Sequence, residues 1–265
     1  MAPRRTRTTE RDRSRRVLSQ NFLTAPAAVA QIVDAARLDP HGLVLEVGAG
    51  RGQLTRLLAA RCGRLTAYEV DPVAGTELAR ICATLPNVTH RQADFLAAPA
   101  PGEEFSVVGN IPWSLTAAVV RWCLAAPRLR DATLLTQLEY ARRRAGDYGR
   151  WTRLTVLSWP QFDWRLAGQV PRTSFRPVPR VDAGILRIAR RAAPLLPPRT
   201  LPTYRRMVEL GFGGVGGSLA ASLACEYPRS RLAAALRASR LDPDLPVGQV
   251  WPEQWLVLYR LLHAR

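Results

Sequence analysis

A short apolar run that leads through three glycines into an amphipathic stretch constrains this sequence more than any other feature. The run is Leu43–Val47, the glycines are Gly48, Gly50 and Gly52, and the amphipathic stretch is Leu54–Arg61. A buried strand, a tight turn and a helix in this order are typical of parallel α/β sheets, because glycine allows a sharp turn and lets a ligand approach the backbone. The sequence therefore predicts a Rossmann-like α/β fold with a ligand at the glycine loop.

Apolar runs alternate with amphipathic stretches over residues 17–193, and this alternation predicts one α/β domain there. The predicted strands are the apolar runs Leu43–Val47, Leu65–Tyr68, Val88–Gln92, Ser106–Gly109, Ala132–Gln137, Leu154–Trp159 and Ala183–Ile188. The predicted helices are the amphipathic stretches Ala27–Ala36, Leu54–Arg61, Val73–Cys82 and Leu115–Leu124.

The two ends of the chain differ from this pattern. Residues 1–16 contain seven arginines, two acidic residues and no apolar periodicity, so we expect a flexible basic arm. Residues 194–202 contain four prolines, which interrupt helix and sheet and predict a semi-rigid linker. Residues 203–265 predict a small all-helical C-terminal domain, with breaks at the glycine run 213–217 and at Asp242–Asp244.

The charge of the chain favours a nucleic-acid partner. The formal net charge is +17, and every one of the 38 basic residues is arginine. The absence of lysine excludes Schiff-base chemistry and a P-loop lysine, whereas arginine binds phosphate in a bidentate manner. A nucleic acid is therefore the leading partner, and an anionic membrane surface is second.

Cysteine spacing and hydropathy exclude three further classes. The four cysteines are far apart, without a Cys-x-x-Cys pair, so we expect neither a metal site nor a disulfide framework, and free thiols fit a cytoplasmic protein. No run of about 18 apolar residues is present, so we expect no membrane span.

The glycine spacing favours S-adenosylmethionine over a nicotinamide cofactor. The loop reads G-x-G-x-G rather than G-x-G-x-x-G, and Glu46 precedes it. We expect that carboxylate to disfavour a pyrophosphate and to favour a cationic ligand. Glu69, Asp94 and Asn110 follow successive predicted strands, where ligands bind in such sheets. Glu69 is placed to accept ribose hydroxyls and Asp94 an adenine amino group, although either could be only a cap or turn residue.

Only in combination with the cofactor loop does the segment Asn110-Ile111-Pro112-Trp113 predict methylation of an adenine amine; taken alone, it is better explained by a tight turn. The lone pair of that nitrogen is delocalised into the ring, so a catalyst must accept the amine hydrogens and draw the nitrogen toward a tetrahedral geometry. The Asn110 side-chain oxygen and the Ile111 carbonyl, held by Pro112, are suitable acceptors, and Trp113 offers a face on which an extruded base can stack. The alternative is a tight turn beside a core tryptophan.

Four segments together resemble the ribosomal RNA adenine N6-methyltransferases. They are Ser19–Leu23, Glu46–Gly52, Asn110–Trp113 and Arg172–Asp182. The Asn-Ile-Pro-aromatic motif, the arginine-rich start and the short tail are similar to the macrolide-resistance (Erm-type) branch, which acts on 23S rRNA. Trp113 departs from the tyrosine or phenylalanine usual at its position, and this departure leaves the number of methyl groups added open.

The resemblance implies roles for individual residues. It implies that Asn21 and Leu23 close over the methionine end of S-adenosylmethionine. It implies cofactor contacts from Gly48, Gly50, Glu69, Asp94 and Asn110, and a sandwich of the target adenine between Trp113 and Phe175. It also implies a cytoplasmic monomer that methylates protein-free or partly assembled 23S rRNA and so confers macrolide-type resistance.

Three alternatives remain at this point. The chain could be a housekeeping dimethyladenosine transferase of small-subunit rRNA, a non-catalytic nucleic-acid-binding protein with the same fold, or a DNA adenine methyltransferase.

Arginines around Phe175, and the run Arg142–Arg144, are candidates for phosphate contacts. The run could equally be a solvated helical face.

Overall fold

The structure, a computed structural model, describes residues 21–214 and 218–264. Three parts of the predicted organisation lie outside the described residues: the arm at residues 1–16, the motif residues Ser19 and Gln20, and positions 215–217 of the glycine run. The chain divides into two compact units. The first takes in the described residues up to Leu138 together with Ala167–Ile185, and the second takes in Glu139–Leu166 and the described residues from Leu186 onward.

Seven strands form one sheet, and two short strands form a separate ladder. In chain order the strands are β1 (Phe22–Leu23), β2 (Leu43–Val47), β3 (Arg64–Glu69), β4 (Val88–Gln92), β5 (Phe105–Gly109), β6 (Leu129–Gln137), β7 (Phe162–Val170), β8 (Phe175–Arg176) and β9 (Ala183–Arg190). The order in the large sheet is β4-β3-β2-β5-β6-β9-β7, and the neighbours from β4 to β6 are parallel. The predicted α/β sheet is confirmed.

Three helices connect these parallel strands in the first unit, and a fourth precedes β2. They are α1 (Pro26–Ala36), α2 (Gln53–Ala59), α3 (Pro72–Cys82) and α4 (Thr116–Ala125). Their buried faces alternate with exposed positions at helical spacing; in α1, for example, Val29, Ile32 and Val33 are buried. All four predicted helices are confirmed, with boundaries shifted by a few residues.

The predicted strand Leu154–Trp159 is wrong, because that segment is helical. Two helices, α5 (Leu138–Ala145) and α6 (Arg153–Ser158), precede β7 in the second unit. The Thr152 side chain caps α6 by accepting a hydrogen bond from the Thr155 N–H at 3.3 Å, and Thr155 and Val156 are buried. A short apolar run does not distinguish a buried helix from a strand, and here the cap favours the helix.

The C-terminal region is helical, as predicted. The remaining helices are α7 (Leu201–Gly213), α8 (Leu219–Leu223), α9 (Arg229–Ala238) and α10 (Pro252–His263). The proline-rich segment before α7 packs within the second unit, since Leu196 is buried and the Leu195 N–H donates to the Pro160 carbonyl at 2.8 Å. Helix α7 begins inside the predicted linker, with Pro202 in its first turn, where proline is tolerated.

The described residues contain neither a membrane-spanning helix nor a metal cluster. In residues 21–214 and 218–264, no helix is long and apolar enough to cross a bilayer. No group of three histidine, cysteine or acidic side chains in the same ranges could hold a metal ion. Cys62, Cys82 and Cys123 are buried free thiols, and Cys225 is an exposed one.

Candidate active site at the carboxyl edge of the sheet

The carboxyl ends of the parallel strands meet at one edge of the sheet. The strand register places Val47 beside Tyr68 and Gly109, and Glu69 beside Gln92. One cavity of the first unit opens at this edge. Every predicted site residue except Phe175 lines it: Asn21, Leu23, Gly48, Gly50, Glu69, Asp94, Asn110, Ile111, Pro112 and Trp113.

The glycine loop is shaped by backbone conformations that favour glycine. Gly48, Gly50 and Gly52 have φ angles of 68°, 57° and 80°. A Cβ atom at Gly48 would lie 3.2 Å from the main-chain oxygen of Asn110. The loop therefore packs closely against the segment Asn110–Trp113, and a side chain at Gly48 would separate the two.

Glu69 is held rigidly at the cavity wall. Its side chain is 3 % exposed. Oε2 accepts a hydrogen bond from the Gly50 N–H at 2.7 Å, and Oε1 accepts one from the Asp71 N–H at 2.8 Å. Each carboxylate oxygen can accept a further hydrogen bond, so this geometry suits a ligand with two neighbouring hydroxyl groups.

Glu46 does not lie beside the ligand cavity, where the sequence predicts its carboxylate. Its side chain is fully buried behind the loop, does not line the cavity, and accepts a hydrogen bond from the Thr55 hydroxyl at 2.7 Å. Burial raises the pKa of Glu46 to about 8, so the neutral form dominates at pH 7. The expectation that Glu46 presents a negative charge beside the loop is therefore wrong.

Asp94 combines a local structural role with a place in the cavity. Its Oδ1 accepts a hydrogen bond from the Leu96 N–H at 2.9 Å and so caps the short turn Phe95–Ala97. The residue is exposed and lines the cavity. Capping with one oxygen leaves the other oxygen able to accept a hydrogen bond from a ligand.

The backbone before Asn110 has room only for glycine. A Cβ atom at Gly109 would clash with the Val47 carbonyl oxygen, so β5 approaches β2 closely where the segment Asn110–Trp113 begins. The Asn110 Nδ2 donates a hydrogen bond to the main-chain oxygen of Asn21 at 2.9 Å. Ile111 is buried, and Trp113 is half-buried at the start of a short turn.

Trp113 and Phe175 touch but do not form an open sandwich. Their ring centroids are 6.3 Å apart and their planes are inclined by 73°, an edge-to-face contact. Phe175 is fully buried and belongs to the apolar core of the first unit. A base stacked between two rings needs parallel faces roughly 7 Å apart, twice the ~3.5 Å contact distance. In this arrangement Phe175 supports the Trp113 ring from the core side.

Several residues that line the cavity are not predicted from the sequence. They are mostly apolar: Phe22, Tyr68, Val70, Phe95 and Leu115. Val70 and Leu115 are large apolar side chains that are 51 % and 40 % exposed. Phe22 lies between the predicted site residues Asn21 and Leu23. The other four lie within a few residues of a predicted strand-end residue, and this adjacency was the signal that could have found them.

The arginines predicted to contact phosphate differ in whether their guanidinium groups interact with other side chains of the protein. In α5, Arg142 pairs with Asp147 at 3.1 Å and Arg143 with Glu139 at 2.8 Å. The Arg144 guanidinium lies 4.9 Å from the centroid of an aromatic ring, that of Tyr140, and donates to the Thr152 hydroxyl.

The arginines of the Phe175 segment are different. Arg172 and Arg176 are exposed and donate to main-chain oxygens, those of Arg180 and Phe175, at 3.1 and 2.9 Å. Within the ranges that the structure describes, neither these two nor the exposed Arg180 pairs with a carboxylate. Their charges are thus available to an anionic partner.

Comparisons with known proteins identify the family of this chain. The sequence profile of the family described as "Ribosomal RNA adenine dimethylase" matches residues 11–264. The rRNA adenine N-6-methyltransferase of Streptomyces fradiae is 54 % identical over 94 % of this chain and 79 % of its own. The mycinamicin-resistance protein MyrB of Micromonospora griseorubida is 38 % identical over 93 % of this chain and 78 % of its own.

A solved structure gives the same result. The crystal structure of the 23S rRNA methyltransferase ErmE superposes with a TM-score of 0.88 at 48 % identity, covering 91 % of this chain and 99 % of that one. The predicted methyltransferase fold and the predicted Erm-type resemblance are both confirmed. On its sequence, its fold and the residues gathered at its cavity, the chain belongs to the ribosomal RNA adenine dimethylase family.

Proposed function

We propose that this protein transfers the methyl group of S-adenosylmethionine to the exocyclic N6 of an adenine in 23S rRNA, and that it thereby confers macrolide-type resistance. The observation that carries the proposal is that Glu69, Asp94, Asn110 and Ile111 line one and the same cavity. The choice of 23S rRNA is supported by the likeness to ErmE, and the resistance role by the likeness to MyrB.

The residues of the cavity fit S-adenosylmethionine. Glu69 keeps a free acceptor position on each oxygen for the ribose hydroxyls, and Asp94 keeps one oxygen for the adenine amine. Val70, Phe95 and Leu115 supply apolar surface for the adenine ring. When bound, this cofactor supplies an electrophilic methyl group on a sulfonium. We assign its methionine end to the segment that contains Asn21 and Leu23.

Asn110 and Ile111 act on the target amine. The Asn110 side-chain oxygen and the Ile111 carbonyl accept hydrogen bonds from the two amine hydrogens. These bonds draw the nitrogen toward a tetrahedral geometry and make its lone pair available for methyl transfer. Because the bonds strengthen as the nitrogen changes geometry, they stabilise the transition state more than bound substrate.

The target base and the RNA strand contact the outer side of the same site. Trp113 stacks on the extruded adenine, a contact worth roughly 1–3 kcal/mol, and Phe175 keeps the Trp113 ring in place. Arg172, Arg176 and Arg180 bind phosphates near the extruded base. The proposed substrate is 23S rRNA that is free of ribosomal proteins or only partly assembled, and we propose that a single cytoplasmic copy acts on it.

An in vitro methylation assay tests the proposal. The protein, radiolabelled S-adenosylmethionine and protein-free 23S or 16S rRNA are incubated, and the modified nucleosides are identified by mass spectrometry. N6-methylated adenine in 23S rRNA alone is the expected result, with Asn110→Ala as the control. Labelling of 16S rRNA alone would indicate the small-subunit transferase. Cofactor binding without transfer to either RNA would indicate a non-catalytic protein, and transfer to duplex DNA alone would indicate a DNA enzyme.

A further inference from the structure

The short strand β1 is where the cofactor loop and the catalytic segment meet. The Asn21 main-chain oxygen, just before β1, accepts the hydrogen bond from the Asn110 Nδ2 at 2.9 Å. The Phe22 ring packs on the glycine loop, since a Cβ atom at Gly50 would lie 3.4 Å from two of its carbons. The Arg51 guanidinium lies 5.5 Å from the centroid of the same ring.

Strand β8 anchors β1 to the core. The two strands pair antiparallel, with Leu23 opposite Phe175. Beyond the ladder, the Thr24 N–H and hydroxyl both donate to the Ser174 main-chain oxygen, at 2.8 and 3.0 Å. Leu23 and Phe175 are buried in one apolar core. The Asn21 carbonyl therefore directly precedes a segment that is fixed by buried side chains as well as by main-chain hydrogen bonds.

The Asn21 carbonyl determines which way the Asn110 amide points. A carbonyl oxygen can only accept, so the amide nitrogen must face it and the amide oxygen must face away from it. Asn110 lines the cavity. In the part of the chain that the structure describes, no donor is bonded to its Oδ1. With the opposite orientation, the amide would present N–H donors to the amine hydrogens and could not accept from them.

We propose that the Asn21 main-chain carbonyl is a positioning group, which orients the Asn110 amide for methyl transfer and is itself held by the β1–β8 ladder. This inference rests on the role proposed above for Asn110. It makes the ladder a determinant of the transfer rate, although neither β8 nor Thr24 lines the cavity. Misplacement by ~1 Å can cost about a hundredfold in rate, so small shifts of β1 should be measurable.

Two variants at Thr24 separate the ladder from the side chain. Thr24→Pro removes the N–H that donates to Ser174, and the preceding Leu23 lies in a strand, which is compatible with a following proline. Thr24→Val keeps that N–H and removes only the hydroxyl. With cofactor and RNA both saturating, Thr24→Pro should slow single-turnover transfer about 10- to 100-fold. Thr24→Val should stay near the parent rate. Thermal melting checks that both proteins fold.

Combining Thr24→Pro with Asn110→Ala in one protein distinguishes positioning of the Asn110 amide from a general structural effect. If β1 acts through Asn110, the double variant should transfer no more slowly than Asn110→Ala alone. Losses that multiply would overturn the proposal, because β1 would then act independently of Asn110. A parent-like rate for Asn110→Ala itself would instead refute the proposed role of Asn110.

A variant of the amide provides a test that leaves the ladder untouched. Asn110→Asp retains an acceptor oxygen but replaces the Nδ2 donor with an oxygen that faces the Asn21 carbonyl. The two oxygens repel each other, so this variant should be as slow as Asn110→Ala. A rate close to that of the parent would show that the donor is dispensable and would contradict the proposal, whatever the outcome for Thr24→Pro.

Discussion

Two glutamates lie on neighbouring parallel strands, one in front of the glycine loop and one behind it. They differ in their hydrogen-bond partners and in whether they line the cavity. Glu69 lies at the end of β3, accepts two main-chain N–H bonds and lines the cavity. Glu46 lies within β2, accepts one hydroxyl bond and is fully buried. Loop N–H groups beyond a strand end are free to bind a carboxylate, whereas those within a sheet are already paired. Distance from the strand end therefore decides which of these two acidic side chains lines the cavity.

The largest expected effect in front of the loop is on the rate of transfer. Asn110→Ala removes the acceptor proposed above for the target amine, whose hydrogen bond strengthens in the proposed transition state, so kcat should fall about 100-fold or more. RNA affinity should change little. Single-turnover kinetics and RNA-binding titrations measure the two quantities separately. If RNA affinity collapsed while the rate stayed normal, Asn110 would be a binding residue and the proposed chemistry would be wrong.

The second prediction compares the two glutamates directly by cofactor affinity. Glu69→Ala should weaken S-adenosylmethionine binding by about 1.5–3 kcal/mol, the range for a hydrogen bond to a charged group. Glu46→Gln should leave the affinity close to that of the parent, because Glu46 does not line the cavity. Calorimetry measures both. Equal losses in the two variants would contradict the distinction between the front and the back of the loop.

The third prediction concerns the pH dependence of stability. Burial raises the pKa of Glu46 from 4.5 to about 8. Between these values the folded protein holds a proton that the unfolded chain releases, so its contribution to stability is full below pH 4.5 and is lost as the pH rises to about 8. The slope can reach about 1.4 kcal/mol per pH unit. Glu46→Gln should remove this slope in denaturation curves measured at several pH values.

The sequence predicted the parts of the site that depend on strand order. Glu69, Asp94 and Asn110 each follow a strand, and parallel strands bring such positions to one edge. Burial of Glu46 could not be predicted in this way, because it depends on Thr55 and on packing behind the loop. The edge-to-face contact of Phe175 likewise depends on a ladder between residues far apart in the chain.

The fourth prediction concerns Trp113, an aromatic residue that lines the cavity. The indole of Trp113 is bulkier than a tyrosine or phenylalanine ring would be, and it rests on Phe175. A second transfer requires the methylated nitrogen to rotate and to present its remaining hydrogen, which this bulk should hinder. We expect mainly monomethyladenine from the parent and a larger dimethyl fraction from Trp113→Phe. Mass spectrometry of digested RNA measures both; mainly dimethylated product from the parent would refute the crowding argument.

The smallest expected effect concerns two arginines, which differ in whether the guanidinium group is paired with a carboxylate of the protein. Arg180 is exposed and pairs with no carboxylate in the described ranges, whereas Arg143 is paired with Glu139. Each phosphate contact on a single strand contributes about 0.7 to the slope of log affinity against log salt. Arg180→Ala should therefore make that slope shallower by about 0.7, and Arg143→Ala should leave it nearly unchanged. Filter-binding titrations over a range of salt concentrations measure the slopes, and equal changes would mean that pairing within the protein does not decide which arginines contact RNA.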